Sequence, residues 1–194
     1  MIVRPSADSV LASAQAAAKK GPPPVHLWNP PFCGDLDIRI ARDGTWFYLG
    51  TPIGRPGMVR LFSSILKKED GRYYLVTPVE KVGIRVDDAP FVAVDFEREG
   101  TGRDQVLTFV TQVGDRAVAG PGHPIRVQRD ASGAPAPYIL IRSDLEALID
   151  RKSFYRLTDL GCHEGQGNES WFGVWSSGRF CPMIRSEELP QDAP

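Results

Sequence analysis

The residues with the most chemistry to offer fall into three short stretches of the first half. Gly54-Arg55-Pro56-Gly57 opens a predicted helix, and helix N-termini present unpaired N–H groups where an arginine can grip phosphate or carboxylate. Asp37 to Gly50 reads DIRIARDGTWFYLG. There the alternation of Leu36, Ile38 and Ile40 with Asp37, Arg39 and Ala41 predicts a half-buried strand, and Asp43-Gly44 predicts a two-residue hairpin turn. That turn sets Ile40 opposite Phe47 and Ile38 opposite Leu49, leaving Arg39, Trp46 and Tyr48 together on the other face. Such a face stacks a planar base or packs against a partner domain, with the arginine over a ring. Glu80, Lys81 and Arg85 lie at the crossing between the two halves of the chain, where ligand sites often form; as a surface ion-pair network they would add little.

The other reactive side chains make a weaker pattern. Cys33 with Asp35, and His26 upstream, can be drawn as a nucleophile, acid and base, and as such are the alternative reading, a small hydrolase or transferase. The ordinary use of Cys33 is as a small residue in a turn. His26, His123 and His163 lack any paired-ligand spacing, and Cys162-His163 with Cys181 lacks the C-x-x-C of a zinc site, so no metal and no cofactor are expected. Gly165-Gln166-Gly167-Asn168 and Gly120-Pro121-Gly122 are turns without a phosphate-loop ending.

The elements that carry these residues follow from composition and period. The 194 residues are 42% hydrophobic, enough for one substantial domain or two small ones. The 23 basic and 24 acidic residues nearly cancel, which leaves no general field for duplex nucleic acid or an anionic membrane. With 19 glycines and 17 prolines, turns and short strands dominate: a β-rich α+β fold. Three irregularly spaced cysteines point to free thiols in a reducing compartment, and the opening Ala-rich run is too polar for a leader or a membrane span, so a cytoplasmic protein is expected.

Along the chain, Ser6 or Asp8 caps a first helix over Val10 to Ala18, closed by Lys19, Lys20 and Gly21 and followed by the stiff Pro22 to Pro24. A second helix runs from Pro56 through Leu66, with Lys67 and Lys68 in its last turn and Gly71 as its stop. Tyr73 to Thr77 and Val82 to Val86 are strands. FVAVDF (91 to 96) and QVLTFVTQV (105 to 113) form a hairpin around the charged tip EREGTGRD.

From Pro124 the pattern of the first half returns: IRVQRD against the earlier IRIARD, a turn, Tyr138 to Ile141, a helix opened by the capping box Ser143-x-x-Glu146, and an aromatic strand from Phe154 to Thr158. This order predicts two duplicated β-β-α-β units, with an N-terminal helix and spacer (1–24), a first domain (25–86) and a second (87–194). ESWFGVWSSGRFCPMIRSEELP predicts a Trp-rich hairpin turning at Ser176-Ser177-Gly178, with a loose tail from Pro190.

HLWNPPFCGDLDIRI, RDGTWFYLGTPI, LVTPVEK (75 to 81) and WFGVWSSGRF resemble a bacterial family known as domain-of-unknown-function family twelve eighty-five, over His26 to Phe180. The resemblance implies a duplicated domain, a second half similar to pleckstrin-homology-like β folds, a nucleotide-like ligand between the domains and a place in signalling, without an assigned activity. The reading that joins these is a non-catalytic regulator binding a small anionic or nucleotide-like ligand at the domain junction. Arg39, Arg55, Lys81 and Arg85 supply its charge, and Trp46 and Tyr48 a stacking surface. A protein-interaction module, using the Arg-aromatic face or the first helix, is a further alternative.

Overall fold

Three residues, not two, close the first hairpin. In the computed structural model, which describes residues 6–18, 23–130 and 132–189, the Ala41 N–H donates to the Thr45 carbonyl and the Gly44 N–H to the Ala41 carbonyl, both at 2.9 Å. Gly44 takes a positive φ of 84°, and the Asp43 carboxylate accepts the Thr45 N–H at 2.9 Å. A three-residue loop ending in a left-handed glycine moves the register by one residue, and a one-residue move exchanges the faces of a strand. Strand β1 (Phe32–Ile40) therefore meets β2 (Trp46–Tyr48) with Ile40 opposite Trp46, Arg39 opposite Phe47 and Ile38 opposite Tyr48. This corrects the expected shared face: Trp46 points into the core, and the ring beneath the Arg39 guanidinium is Phe47, 5.4 Å away.

The rest of the first half builds a sheet around that hairpin. After β3 (Thr51–Pro52) come helix α2 (Pro56–Ser64) and strands β4 (Leu66–Glu69), β5 (Arg72–Val76) and β6 (Lys81–Val86). The helix stops at Ser64, earlier than its sequence pattern suggests. Asp70 and Gly71 both adopt positive φ, 49° and 78°, the geometry of a two-residue hairpin turn, and such a turn needs strands on both sides. Lys67 and Lys68 accordingly lie on β4, opposite Tyr74 and Tyr73. The sheet order is β3-β2-β1-β6-β5-β4, with β1 and β6 parallel and every other pair antiparallel.

Ile38, Ile40, Trp46, Phe62, Ile65, Leu75 and Val82 are all buried, and Trp46 stacks on Phe62 with ring centroids 6.3 Å apart. Helix α1 (Ala7–Ala18) packs on α2 and buries Ala7, Val10 and Ala14, spaced three and four apart as one helix face requires. Ser6 caps it: its hydroxyl accepts the Ser9 N–H at 3.2 Å while the Ser9 hydroxyl accepts the Ser6 N–H at 3.3 Å. The expected end of this helix at Lys19, Lys20 and Gly21, the first proline of the spacer, and the tail from Pro190 lie outside the described residues.

The second half repeats the same wiring. Its strands are β7 (Phe91–Glu99), β8 (Val106–Thr111), β9 (Arg116–Val118), β10 (Ile125–Arg129), β11 (Pro135–Arg142) and β12 (Leu145–Ile149). Read from its far edge, their sheet runs β9-β8-β7-β12-β11-β10, which is the first sheet with six added to each number. Its parallel pair, β7 with β12, takes the place of β1 with β6. The fold is thus β-rich α+β with two duplicated units, and the chain divides into Met1–Pro90 and Phe91–Pro194.

The mark of that duplication is the strand order and not the repeated hexapeptide. IRIARD begins on β1, whose counterpart is β7; IRVQRD begins on β10, whose counterpart is β4. Ser143 does not open a helix: it sits in a turn at φ 45°, and Leu145 to Ile149 join the sheet beside β7. The third helix, α3 (Arg151–Thr158), covers the predicted aromatic strand instead, and is capped by Asp150, whose carboxylate accepts the Ser153 N–H at 2.7 Å. A three-stranded sheet of β13 (Cys162–Gln166), β14 (Glu169–Ser176) and β15 (Arg179–Arg185) completes the unit, with the Trp-rich hairpin turning at Ser177-Gly178.

Candidate functional site

On the outer face of the first sheet, almost every cation already has a carboxylate. The Arg39 Nε donates to both Asp87 oxygens, at 3.0 and 2.9 Å, and this guanidinium holds the Asp87 carboxyl below its ordinary value. Lys67 and Lys81 converge on Glu69 at 2.7 and 2.8 Å and depress its carboxyl together, Lys67 foremost, while Glu69 raises Lys81. Arg72 reaches Asp35 at 3.0 Å and lies over the Phe32 and Tyr74 rings. Gly83 makes room for that carboxylate, since a Cβ there would stand 2.0 Å from the Asp35 Oδ1.

Arg85 sits beside Arg39 across the parallel pair and edges a shallow concavity of about 400 Å³ with Asp35, Asp37 and Arg72. Two of the six residues expected to bind ligand, Arg39 and Arg85, are therefore neighbours, and Lys81 lies farther along β6. Trp46 is in the core, and Tyr48, half-buried opposite Ile38, lies on the core-facing side.

Arg55 stands apart from this network. It is exposed at the start of α2, where no side chain caps the helix and Pro56 occupies the first turn. Its guanidinium has no hydrogen-bond or ion-pair partner among the described residues. It borders a concavity of about 410 Å³ whose other walls are Leu11 and Gln15 of α1 and Met58 and Leu61 of α2. Gly54 and Gly57 leave the backbone there open, with no atom within 4 Å of where a Cβ would stand. Among the described residues, Arg55 is the single charged one in the lining.

Helix α1 supplies one wall of that concavity and is tethered on its opposite side. Leu11 and Gln15 lie on one flank of its buried face; Ser9 and Ser13 lie on the other, where their hydroxyls neighbour Glu80 and favour its charged form. Burial, the larger influence, pushes the Glu80 carboxyl up from its ordinary value against those hydroxyls. The folded chain thus holds this proton more tightly than the unfolded chain. The contribution is complete below the ordinary carboxylate value, about 4.3, and is lost as pH rises through the raised folded value. Glu80→Gln, which keeps an acceptor but carries no charge, is expected to match wild type at about pH 4 and to unfold at a higher temperature than wild type near neutrality. Thermal melts across that range check it, and equal melting temperatures at neutrality would contradict it.

Most of the remaining sequence candidates have local partners. The Cys33 thiol donates to the Pro31 carbonyl at 3.5 Å, and Asp35 is taken by Arg72. The His123 Nδ1 lies 2.9 Å from the Leu140 carbonyl oxygen, and the His163 Nδ1 2.8 Å from the Ser186 hydroxyl. Cys181 is buried, and burial pushes its thiol up. Among the described residues no group of three His, Cys, Asp or Glu side chains is placed to hold a metal ion, and no helix is long and apolar enough to cross a membrane.

One cluster escaped the sequence reading. Arg98, Arg103, Gln105, Cys162, Glu164 and Trp175 line a concavity of about 350 Å³ in the second unit. Its arginines come from a tip that reads as an ordinary charged loop, and its tryptophan from a strand that reads as core. The one available signal was the crowding of two arginines and two glycines into EREGTGRD.

These features define a class: a duplicated α+β protein, each unit built on a six-stranded sheet with one central parallel pair, carrying ligand-sized hollows on its surface. Residues 23–89 match the model for "Domain of unknown function (DUF1285), N-terminal domain", and residues 90–183 that for "Protein of unknown function (DUF1285), C-terminal domain". The chain belongs to the DUF1285 family. A solved DUF1285 family protein from Silicibacter pomeroyi DSS-3 is 70% identical, with 93% of this chain and 97% of that one covered and a TM-score of 0.84. One from Shewanella baltica OS155 is 30% identical, with 64% of this chain and 91% of that one covered and a TM-score of 0.52. No curated protein matches the sequence.

Proposed function

We propose that the protein is a non-catalytic, cytoplasmic regulator whose first unit binds a small molecule with one anionic group and an apolar or planar body, a description that a nucleotide-like ligand fits. The observation that carries this reading is Arg55: an exposed guanidinium that has no partner among the described residues, at a helix start without a side-chain cap, above a hollow to which the described residues contribute no carboxylate. Around Arg39 and Lys81, by contrast, an incoming anion must displace Asp87 or Glu69. Ligand entry against α1 would connect occupancy to the seating of that helix, the kind of change a signalling partner reads.

The test is calorimetry against a panel of nucleotides and of phosphorylated or carboxylated metabolites, followed by substitution. Arg55→Ala is expected to weaken the best ligand about 10- to 100-fold, the worth of one charge-assisted contact, and Arg85→Ala to leave it within about threefold, as for a remote exposed charge. The reverse order would move the site to the outer sheet face, and a panel without binders would remove the reading altogether.

A further inference from the structure

The hairpin tip between β7 and β8 curls back onto its own unit. Gly100 and Gly102 both have positive φ, 74° and 61°, which glycine adopts without strain. The turn they allow brings Arg103 over Trp175 of β14, its guanidinium carbon 4.7 Å from the ring centroid. Glu164 of β13 completes the arrangement: one oxygen, Oε1, accepts Arg103 Nη2 at 2.9 Å and the indole Nε1–H at 3.1 Å.

The ring and the carboxylate are fixed by the fold, and the arginine is the loose member. Gln105, 3% exposed, donates its side-chain amide to the Trp175 carbonyl at 2.8 Å, and its backbone carbonyl accepts the Ser177 N–H at 2.8 Å. The Trp175 indole is in turn held by Glu164, whose side chain is 25% exposed against 68% for Arg103. An indole face with a carboxylate at its edge is a receptor for a planar cation, and here the chain's own guanidinium fills it. Arg98 borders the same hollow; its Nε donates to the Gly100 carbonyl at 3.1 Å, leaving its terminal nitrogens for an anion.

We infer that this hollow recognises a ligand bearing a guanidinium and a carboxylate, either free arginine or a peptide's C-terminal arginine, and that Arg103 occupies the cationic half from within the chain. The guanidinium of the ligand takes the place of Arg103 between Trp175 and Glu164, and its carboxylate pairs with Arg98. Because the internal occupant must leave first, affinity in the wild type is lowered by the fraction of time the site is open.

Trp171, Glu169 and Arg185 supply an internal control. They form the same kind of trio, with Arg185 over the Trp171 ring at 5.7 Å and paired with Glu169 at 2.9 Å, yet none of them lines the hollow. Titration of L-arginine into the full chain, followed by calorimetry and by the indole N–H resonance of Trp175, is expected to show Arg103→Ala binding at least tenfold more tightly than wild type. Arg103→Gln should behave alike and guards against a folding artefact in either variant. Arg103→Ala combined with Glu164→Gln should lose the gain, Arg185→Ala should show none, and L-argininamide, without the carboxylate, should bind several-fold more weakly than L-arginine. A tripeptide ending in arginine that binds as well as the free amino acid identifies chain termini as the source; a weaker one identifies the free amino acid. No gain in either Arg103 variant, an equal gain in Arg185→Ala, or argininamide binding as tightly as arginine would overturn the assignment. The Arg55 hollow belongs to the other unit, so this outcome stands independently of the reading above.

Discussion

Trp46→Ala is expected to destabilise the first unit by about 3–5 kcal/mol, the range for deleting a large aromatic side chain from a packed core. Trp46 is 2% exposed, faces Ile40 across the hairpin and stacks on Phe62, so alanine leaves a void that the helix and sheet cannot both close. Chemical unfolding followed by circular dichroism measures it. Trp46→Phe should cost less than half as much. It keeps most of the ring volume and removes an indole Nε1 that is buried without a hydrogen-bond partner among the described residues, a donor whose burial is itself unfavourable. Small losses for both variants, together with weakened ligand binding, would return Trp46 to the outer face and the hairpin to a two-residue turn.

Gly173→Ala should be nearly as damaging, through overpacking. A Cβ at this buried position on β14 would lie 2.3 Å from the Cys181 carbonyl oxygen, 2.8 Å from the Phe180 ring and 2.9 Å from the Pro182 Cα. Two of those three atoms are backbone and cannot swing aside, so β15 must shift along β14 or separate from it. The loss expected is about 3 kcal/mol, the upper part of the usual range for extra methylenes forced into a filled site. Gly165→Ala, on the neighbouring β13 with no atom within 4 Å of its Cβ position, should unfold with the wild type. A Gly173→Ala protein within about 0.5 kcal/mol of wild type, the scatter of ordinary surface substitutions, would mean that β14 and β15 are not paired in the register observed.

Local signals proved reliable where a single short segment decides the outcome. The alternation of Leu36, Ile38 and Ile40 placed β1, the apolar runs flanking EREGTGRD placed β7 and β8, Ser6 capped the first helix, and Ser177-Gly178 turned the Trp-rich hairpin. Signals failed where two local codes compete. Ser143-x-x-Glu146 is a sound helix start in isolation, but the parallel pairing of Ala147 with Phe91, more than fifty residues away, draws Leu145 to Ile149 into the sheet. Phe154 to Thr158 carry strand-forming residues, yet Asp150 caps a helix through them. IRIARD and IRVQRD look like copies because strands share a vocabulary, and they sit on strands that are not counterparts.

The candidate sites divide in the same way. Arg55 was legible, because an arginine before Pro56 at a helix start is a local arrangement. The shared face of Arg39, Trp46 and Tyr48 was not, because one residue more in a turn inverts every side chain beyond it. The Arg103, Glu164 and Trp175 cluster left only the crowding of arginines and glycines in EREGTGRD as a local trace, since its members come together only when the tip between β7 and β8 meets β13 and β14.

By itself, then, the order of amino acids determined the β-rich composition of the chain, the positions of several strands and turns and the kinds of side chain available for binding. Tertiary structure alone decided which strand is the copy of which, which face Trp46 takes and which cations already have a carboxylate beside them. The reason is range: periodicity and turn preference act over a few residues, whereas register, burial and charge pairing are settled by partners that the chain brings together from tens of residues away.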